Sequence, residues 1–392
     1  MTAQTLGGAA ALYEHEHELF RESARAFLQR EVVPHHDAWE RAGIVPRELF
    51  AKAGAAGFIG MAVPEAFGGV GVDDPRFWAI FVEEAGRAGV IGSTNGIGLH
   101  ETTAMPYFLE YCSSEQRERW LPGIASGELI AALAMTEPGT GSDLQGIQTR
   151  AVRDGDAYVL NGSKTFITNG INADLVIVAA KTDPGAGSRG LSLLVVERDT
   201  PGFGRGRNLE KIGQHAQDTA ELFFDDVRVP AGNLLGEEGM GFGYLVSNLA
   251  QERMSMAVSC IATVEAAIEW TVGYVKERTA FGRTIATFQN TAFVLAECRT
   301  EAAVTRSFVD DCMRRLVDRT LTPEDAAMAK LWTSEVQGRV IDRCLQLFGG
   351  YGYMTEYAIA RAFVDARVSR IYGGSNEVMK EIIGRSMGLG SR

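Results

Sequence analysis

The chain has 392 residues, and its 50 acidic and 38 basic side chains give it a formal net charge of −12. This acidic balance disfavours a protein that binds nucleic acid over a broad basic surface, and no stretch approaches the roughly 20 apolar residues of a transmembrane helix. At about 100–200 residues per domain the length predicts two or three domains, and five cysteines without a C-x-x-C pair predict reduced thiols and a cytoplasmic location.

Helical signals dominate the first 128 residues, which we predict to form an N-terminal helical domain (residues 1–128). Apolar residues recur at helical spacing, and glycine-rich turns separate the segments. The predicted helices are Glu14–Val33, Arg47–Ala56, Arg76–Ala88 and Ser114–Ala125.

The pattern changes near Leu129 to short β-prone runs separated by turn dipeptides. Asp154-Gly155, Asn161-Gly162 and Asn169-Gly170 are typical of tight hairpins, because these residues tolerate positive φ angles. Further predicted strands are Leu175–Lys181, Leu191–Val196 and Glu221–Val229. Because no helices separate these runs, they favour an antiparallel barrel or sandwich over a doubly wound parallel sheet, in a middle domain of residues 129–236.

Long helical patterns return in the last part of the chain, residues 237–392. The predicted helices span about 242–277, 287–318, 323–348, 355–370 and 376–386. Long helices joined by short loops favour an antiparallel helix bundle. The predicted fold is therefore multidomain, with a helical domain, a β domain and a helical bundle in that order.

The sequence argues against a dinucleotide-binding motif, a serine nucleophile elbow and a metal site. Gly139–Leu144 begins like a dinucleotide-binding fingerprint, but it ends in leucine and opens no βαβ unit. Gly384–Gly388 matches G-x-S-x-G at a predicted helix end, whereas a nucleophile elbow follows a strand. The six histidines lack metal-ligand spacing, so we predict no metal site.

Three loops could approach a ligand, although each also has an ordinary structural reading. Ala134–Asp143 could cradle an anion or the polar edge of a heterocycle, but on pattern alone a simple turn is favoured. Lys164–Gly170 offers an aromatic ring and a hydroxyl, but a core phenylalanine is favoured. Arg370–Glu377 is a glycine loop that leads into a helix, with Ser375 as its N-cap.

Glu252 is the most informative single residue. It lies in a stripe of one predicted helical face, at +4 and +3 spacing with Leu245, Leu249, Met256 and Ser259. A carboxylate in such a stripe is either paired with a cation, for which Arg253 is a candidate, or lines a cavity where burial raises its pKa into the range of a general base.

Five motifs in this order resemble the acyl-CoA dehydrogenase family of flavoproteins, over Tyr13–Met387. They are Met135–Asp143, Phe166–Gly170, Arg278–Gly282, Gln346–Gly352 and Ile371–Gly374. Membership would imply FAD as the cofactor, acyl-CoA as the substrate and an electron-transfer flavoprotein as the electron acceptor. It would also imply a homotetramer built as a dimer of dimers.

The resemblance assigns roles to three groups of residues. Contacts to the flavin and its surroundings within one subunit would come from Met135, Thr136, Gly141, Ser142, Phe166, Ile167, Thr168, Ser375 and Glu377. Contacts to the FAD of a neighbouring subunit would come from Arg278, Phe281, Gln289, Gln346, Gly349 and Gly350. Contacts to the acyl-CoA would come from Ser142, Arg253, Gly373 and Gly374.

The catalytic base needs a separate comparison. Most family members carry a catalytic glutamate directly after the tyrosine of the last motif, but Gly373 occupies that position here. The isovaleryl-CoA and long-chain branches instead place the base on a bundle helix, in a segment that resembles Gln251–Arg253. The resemblance therefore supports Glu252 as the base, in agreement with its place in the helical stripe.

The implied reaction is α,β-dehydrogenation of a saturated acyl-CoA to the trans-2-enoyl-CoA. Glu252 would remove the α proton while the β carbon passes a hydride to flavin N5, and backbone N–H groups near Gly373 and Gly374 would stabilise the thioester oxygen. Gly243 stands where relatives often carry an aromatic residue, which favours medium to long straight acyl chains. The alternatives are an oxygen-using relative (an acyl-CoA oxidase or a flavin monooxygenase) and a non-catalytic flavin-binding relative.

Overall fold

Helices build the first part of the chain in the computed structural model, which describes residues 12–390. They are α1 (His15–Phe27), α2 (His36–Ala42), α3 (Glu48–Ala55), α4 (Pro75–Ala88), α5 (Ile91–Gly98), α6 (Met105–Tyr111) and α7 (Ser114–Ser126). The four predicted helices are confirmed, although the first changes to a π-helical turn at Leu28–Val32.

The prediction missed α2 and the helices between Ile91 and Tyr111. Three glycines in α5 lower its helix propensity, so its sequence does not indicate a helix. Packing explains one of them, because a Cβ atom at Gly96 would lie 2.5 Å from Oδ1 of Asn169. Tertiary contacts therefore stabilise this helix against its local propensity.

An eight-stranded, mostly antiparallel sheet forms the middle of the molecule. Its strands are β1 (Ala131–Ala134), β2 (Arg150–Asp154), β3 (Ala157–Thr168), β4 (Leu175–Lys181), β5 (Leu191–Glu197), β6 (Phe203–Asn208), β7 (Thr219–Pro230) and β8 (Leu234–Leu235). The order is β6-β7-β3-β2-β4-β5-β8, and β1 pairs with β4. The pairing of β1 with β4 is parallel, as is one residue pair between β2 and β4, so the sheet is not purely antiparallel.

Of the three hairpin turns predicted from dipeptides, the structure contains one. Asp154-Gly155 makes the predicted hairpin between β2 and β3. The turn predicted at Asn161-Gly162 is wrong, because both residues lie inside β3, where Gly162 lets the strand approach Thr149 closely. Asn169-Gly170 ends β3 without forming a hairpin, and the Asn169 side chain donates to the Gly96 and Ala131 carbonyls instead.

Long helices form the last part of the described chain and confirm the predicted bundle. They are α8 (Gly241–Glu277), α9 (Gln289–Val317), α10 (Pro323–Phe348), α11 (Ala358–Ala366) and α12 (Asn376–Ser386). The strands β9 (Thr279–Ala280) and β10 (Arg283–Thr284) form a small hairpin after α8. Helix α8 packs against α4, α9 and α10, so the N-terminal helices and the bundle share an interface.

Helix α8 corrects the expectation that no segment approaches membrane-spanning character. Among residues 12–390 it is the one helix that is long and apolar enough to cross a membrane, by length and composition alone. Its most apolar window has 61% of its residues buried inside the protein, which is typical of a core helix. The length and composition of one such helix are weak evidence for a membrane span.

Ion pairs join the three parts of the molecule around α4. The Arg306 guanidinium on α9 donates to Glu83 on α4 at 2.8 Å, and Arg21 on α1 donates to the same carboxylate at 2.8 Å. Away from α4, Arg47 at the start of α3 donates to Asp174, the residue before β4, at 2.7 Å. These contacts connect the N-terminal helices to the bundle and to the segment before β4. A cavity lies where α4, α5 and α8 meet one end of the sheet.

Candidate active site

A cavity of about 230 Å³ lies between α4, α5, α8 and one end of the sheet. Its helical side combines apolar side chains with hydroxyl, amide and carboxyl groups, and its lining includes seven residues that the sequence assigned to a site. They are Met135, Thr136, Phe166, Ile167, Thr168, Glu252 and Gly373. Residues far apart in the chain thus meet around one space.

Glu252 lines this cavity from α8 and is 8% exposed. Its stripe partners Met256 and Ser259 line the same wall, as their spacing predicted. Burial raises the pKa of the Glu252 carboxyl to about 7, although the charge of Arg253 and a hydrogen bond from Tyr107 act to lower it. The Tyr107 hydroxyl donates to Oε1 at 3.5 Å, which is a long hydrogen bond.

The structural alternative for Glu252 is an ion pair with Arg253. Arg253 is buried and makes no ion pair with Glu252, and among residues 12–390 its Nε has no hydrogen-bond partner. A carboxyl group with a pKa near 7 that faces a cavity can hold or release a proton at neutral pH. Glu252 therefore has the environment of a general base.

A buried ion pair fixes the sheet side of the cavity. The Lys164 ammonium donates to the Met135 carbonyl at 2.9 Å and to the Glu137 carboxylate at 2.9 Å. Glu137 also accepts the backbone N–H groups of Gln148 and Thr149 at 2.7 and 3.0 Å. These contacts hold the chain at Met135–Thr136 in one position beside the cavity.

Phe166 combines an unusual backbone with an exposed ring. Its φ is 60°, in the left-handed region that bulky residues avoid, and its side chain is 68% exposed at the cavity. Such strain persists where the surrounding structure enforces it and is concentrated at functional positions. The core-phenylalanine reading is therefore wrong, because the ring faces outward.

The loop between the 3₁₀ turn Arg367–Arg370 and α12 closes the cavity near Glu252. Gly373 and Gly374 have φ angles of 61° and 89°. A Cβ atom at Gly373 would lie 2.3 Å from the sulfur of Met256, so a side chain there would displace the Met256 side chain from the cavity wall. Ser375 is the N-cap of α12, as predicted, and its hydroxyl accepts the Val378 N–H at 3.4 Å.

Some predicted residues lie near the cavity without lining it. Arg253 is adjacent to the loop, since its Nη2 lies 3.9 Å from the Cβ position of Gly374. Gly141 and Ser142 are exposed on the loop that follows Thr136. Ser375 and Glu377 lie at the start of α12, directly after Gly374.

The remaining predicted residues form a second cluster at the far ends of α8 and α10. They are Arg278, Phe281, Gln289, Gln346, Gly349 and Gly350. The Arg278 guanidinium lies 5.2 Å from the centre of the Tyr351 ring, and Phe281 is 96% exposed. At 1.5 Å per helical residue, about 39 Å of α8 separates Glu252 from Arg278. The two clusters therefore do not share one pocket within this chain.

Several cavity residues escaped the sequence analysis. Trp78, Thr94, Asn95 and Gly98 form its helical side, and Tyr107 reaches Glu252 from α6. The Trp78 indole donates to the Ser255 hydroxyl at 3.1 Å and thereby connects α4 to the wall that carries Glu252. The clustered glycines of α5 could have indicated this wall, since glycines allow helices to pack closely.

Family models of three acyl-CoA dehydrogenase domains match consecutive parts of the chain. The N-terminal domain matches residues 14–128, the middle domain 132–227 and the C-terminal domain 239–388. Among curated proteins, the long-chain specific acyl-CoA dehydrogenase of mouse mitochondria is 50% identical over 382 residues, which cover 97% of this chain and 88% of the mouse protein.

Solved structures agree with these matches. The crystal structure of an acyl-CoA dehydrogenase from Geobacillus kaustophilus is similar at a TM-score of 0.95 and 51% identity, over 97% of this chain and 100% of that chain. A glutaryl-CoA dehydrogenase from Mycobacterium smegmatis, in complex with FADH2, has a TM-score of 0.90 at 27% identity, over 97% of this chain and 96% of that chain. The matches extend across all three structural parts, so the chain belongs to the acyl-CoA dehydrogenase family of oxidoreductases.

Proposed function

We propose that the protein catalyses FAD-dependent α,β-dehydrogenation of a saturated acyl-CoA to the trans-2-enoyl-CoA, with Glu252 as the base. The observation that carries this proposal is a buried carboxyl group, with a pKa of about 7, that lines a cavity. On the opposite side of the cavity lie the residues that the family resemblance assigns to the flavin. Gly373, in contrast, has no group that could accept a proton.

Glu252 performs the proton-transfer step in this proposal. Its carboxylate form increases as the pH rises through about 7, and this form can accept a proton from the α carbon of the thioester. Apolar walls such as Leu99 and Leu133 keep water away and so maintain the high proton affinity. Backbone N–H groups near Gly373 and Gly374 are our candidates to stabilise the negative charge that grows on the thioester oxygen.

The residues at the sheet side fit a flavin. The Met135–Thr136 segment is fixed by Lys164, and the outward Phe166 ring offers an aromatic face at the same opening. We assign Met135, Thr136, Phe166 and the neighbouring residues to hold FAD, which when bound would supply the hydride acceptor. The related glutaryl-CoA dehydrogenase with bound FADH2 supports this choice of cofactor.

The second cluster supports assembly as a homotetramer built from dimers. Arg278 lies about 39 Å along α8 from Glu252, and Phe281 lies in the hairpin that follows, so both are too far away to complete the same pocket. An exposed phenylalanine beside an arginine suits contact with a partner subunit and with the phosphates of its FAD. Light scattering tests the assembly, for which a monomer would contradict the proposal.

The cavity wall supports medium to long straight acyl chains. Gly98 carries no side chain at the wall, and a Cβ atom there would lie 3.1 Å from the Trp78 ring. The similarity to a long-chain specific acyl-CoA dehydrogenase also supports long acyl chains. Gly243, on which the sequence expectation rested, does not line the cavity, so the support now comes from α5 instead.

The decisive experiment is anaerobic titration of the yellow holoprotein with a series of acyl-CoA thioesters. We expect bleaching of the flavin absorbance with C8 to C16 substrates and recovery by an electron-transfer flavoprotein, the proposed electron acceptor. Failure of every acyl-CoA to bleach the flavin would refute the dehydrogenase function. Rapid reoxidation by oxygen would instead identify an acyl-CoA oxidase or another oxygen-using relative.

The proposed cytoplasmic location rests on the cysteines. All five are unpaired and buried, which suits a reducing compartment. Cell fractionation with an antibody tests this location directly.

A further inference from the structure

A lysine with no carboxylate partner lies buried behind the active-site loop. Lys330, in the middle of α10, is 1% exposed. Its ammonium donates to the Gly374 carbonyl at 2.7 Å and to the Asn376 side-chain oxygen at 2.9 Å. Among residues 12–390 no carboxylate forms an ion pair with it. Burying a charge that is bonded only to neutral oxygens costs free energy, so stability of the fold does not explain why a lysine is at this position.

The two acceptors of Lys330 lie on either side of Ser375, at the junction between the loop and α12. Asn376 is itself buried, and its amide donates to the Ser334 hydroxyl at 3.1 Å and to the Glu335 carboxylate at 2.8 Å. The preceding glycines both have positive φ angles, which glycine adopts without strain and also leaves easily, so contacts from outside the loop are needed to fix its shape. The ammonium is thus a fixed point from which the loop extends to the cavity.

We propose that Lys330 is a positioning residue, whose protonated ammonium holds the Gly373–Gly374 loop in the shape that dehydrogenation requires. This inference rests on the proposed function, since it assigns the loop to the reacting thioester. Lys330 touches neither the cavity nor Glu252, and it acts only through the Gly374 carbonyl and Asn376. Charge-assisted hydrogen bonds are about twice as strong as neutral ones, so loss of the proton would loosen the loop.

The surroundings of Lys330 set the pH at which this happens. Burial is the main cause that lowers its pKa, to about 8, and the Arg253 charge on α8 lowers it further. Cys260 on α8, Glu335 on α10 and Glu377 on α12 act in the opposite direction. Since the charged form is the one that holds the loop, activity should fall as the pH rises through about 8. Glu252 acts at the other end of the profile, because its carboxylate is lost as the pH falls through about 7.

The test is the pH dependence of the rate at which a saturating acyl-CoA bleaches the flavin in a single turnover. We expect a bell-shaped profile for the wild type. Lys330→Gln should lack the alkaline decline and react about tenfold more slowly at pH 7, with little change in acyl-CoA affinity, because misplacement affects the transition state more than binding. Lys330→Arg, which stays charged, should move the decline to higher pH. Lys52→Met, which removes an exposed lysine of α3, should keep the wild-type profile.

A second buried lysine makes the test sharper. Burial also lowers the pKa of Lys164 to about 8, so it could produce a similar decline. Lys164→Arg should leave the alkaline decline in place; if it moves, the decline belongs to Lys164 and our inference is overturned even if no Lys330 variant folds. A flat wild-type profile from pH 7 to 10, or an unchanged decline in Lys330→Gln, also overturns it. A wild type that no acyl-CoA bleaches refutes the proposed function instead.

Discussion

Replacing Glu252 with glutamine should abolish the reaction and stabilise the protein at alkaline pH. The folded state raises the pKa of this carboxyl from 4.5 to about 7, so ionising it costs the fold about 3 kcal/mol above pH 7, at about 1.4 kcal/mol per tenfold change in proton affinity. Because the pKa is raised, the cost is absent below pH 4.5, grows as the pH rises from 4.5 to 7, and is constant above. Glutamine, which never ionises, avoids it.

Thermal unfolding and flavin bleaching measure the two effects separately. With an unfolding entropy of roughly 0.8 kcal/mol/K for a chain of this length, about 3 kcal/mol corresponds to a gain of about 4 °C in Tm at pH 8. The gain should be small at pH 5. Bleaching by acyl-CoA should slow by about 10³-fold or more while FAD and acyl-CoA still bind, as expected when a general base is lost.

Glu101 provides a matched control. Burial raises its pKa to about 7 as well, but it accepts the backbone N–H groups of Gly60 and Met61 and does not line the cavity. Glu101→Gln should therefore keep substrate-dependent bleaching. If Glu252→Gln bleaches within tenfold of the wild-type rate, another residue is the base. If its Tm gain is equal at pH 5 and pH 8, the raised pKa is wrong.

Three further substitutions probe other parts of the structure. Arg278→Ala should lower the FAD bound per chain, measured from the flavin-to-protein absorbance ratio, and unchanged FAD content would argue against the partner-subunit role. Gly98→Leu should push a side chain towards Trp78 and shorten the preferred acyl chain by about two carbons, with an unaltered chain-length profile as the contrary result. Lys164→Met should leave the Glu137 carboxylate buried without its cation and cost about 3–5 kcal/mol in denaturant unfolding; a loss below about 1 kcal/mol would show that the pair matters little.

The sequence identified Glu252 because its signal was local. One helix carries the whole stripe, and the spacing survives folding unchanged, so Met256 and Ser259 reach the cavity together with Glu252. The same holds for Ser375, whose capping role depends on the next three residues alone. Features determined within a few turns of helix could thus be predicted.

Features determined by distant contacts could not. Asn161-Gly162 has the composition of a turn, yet its glycine serves a close approach to Thr149 across the sheet. Helix α5 has a low helix propensity and is stabilised by packing, so the sequence did not predict the helical wall of the cavity. Lys330 gave no signal either, because its importance lies in a bond to a carbonyl 44 residues further along the chain.

Helix α8 has a consequence for the genetics of this enzyme. It carries Glu252, the proposed base, near one end, and about 39 Å away at its other end lies Arg278, which we assign to the pocket of a neighbouring subunit. Each pocket in the proposed assembly therefore draws on two polypeptide chains. An allele damaged at Glu252 and an allele damaged at Arg278 would then complement each other. In mixed oligomers, some pockets would receive an intact base from one chain and an intact arginine from the other.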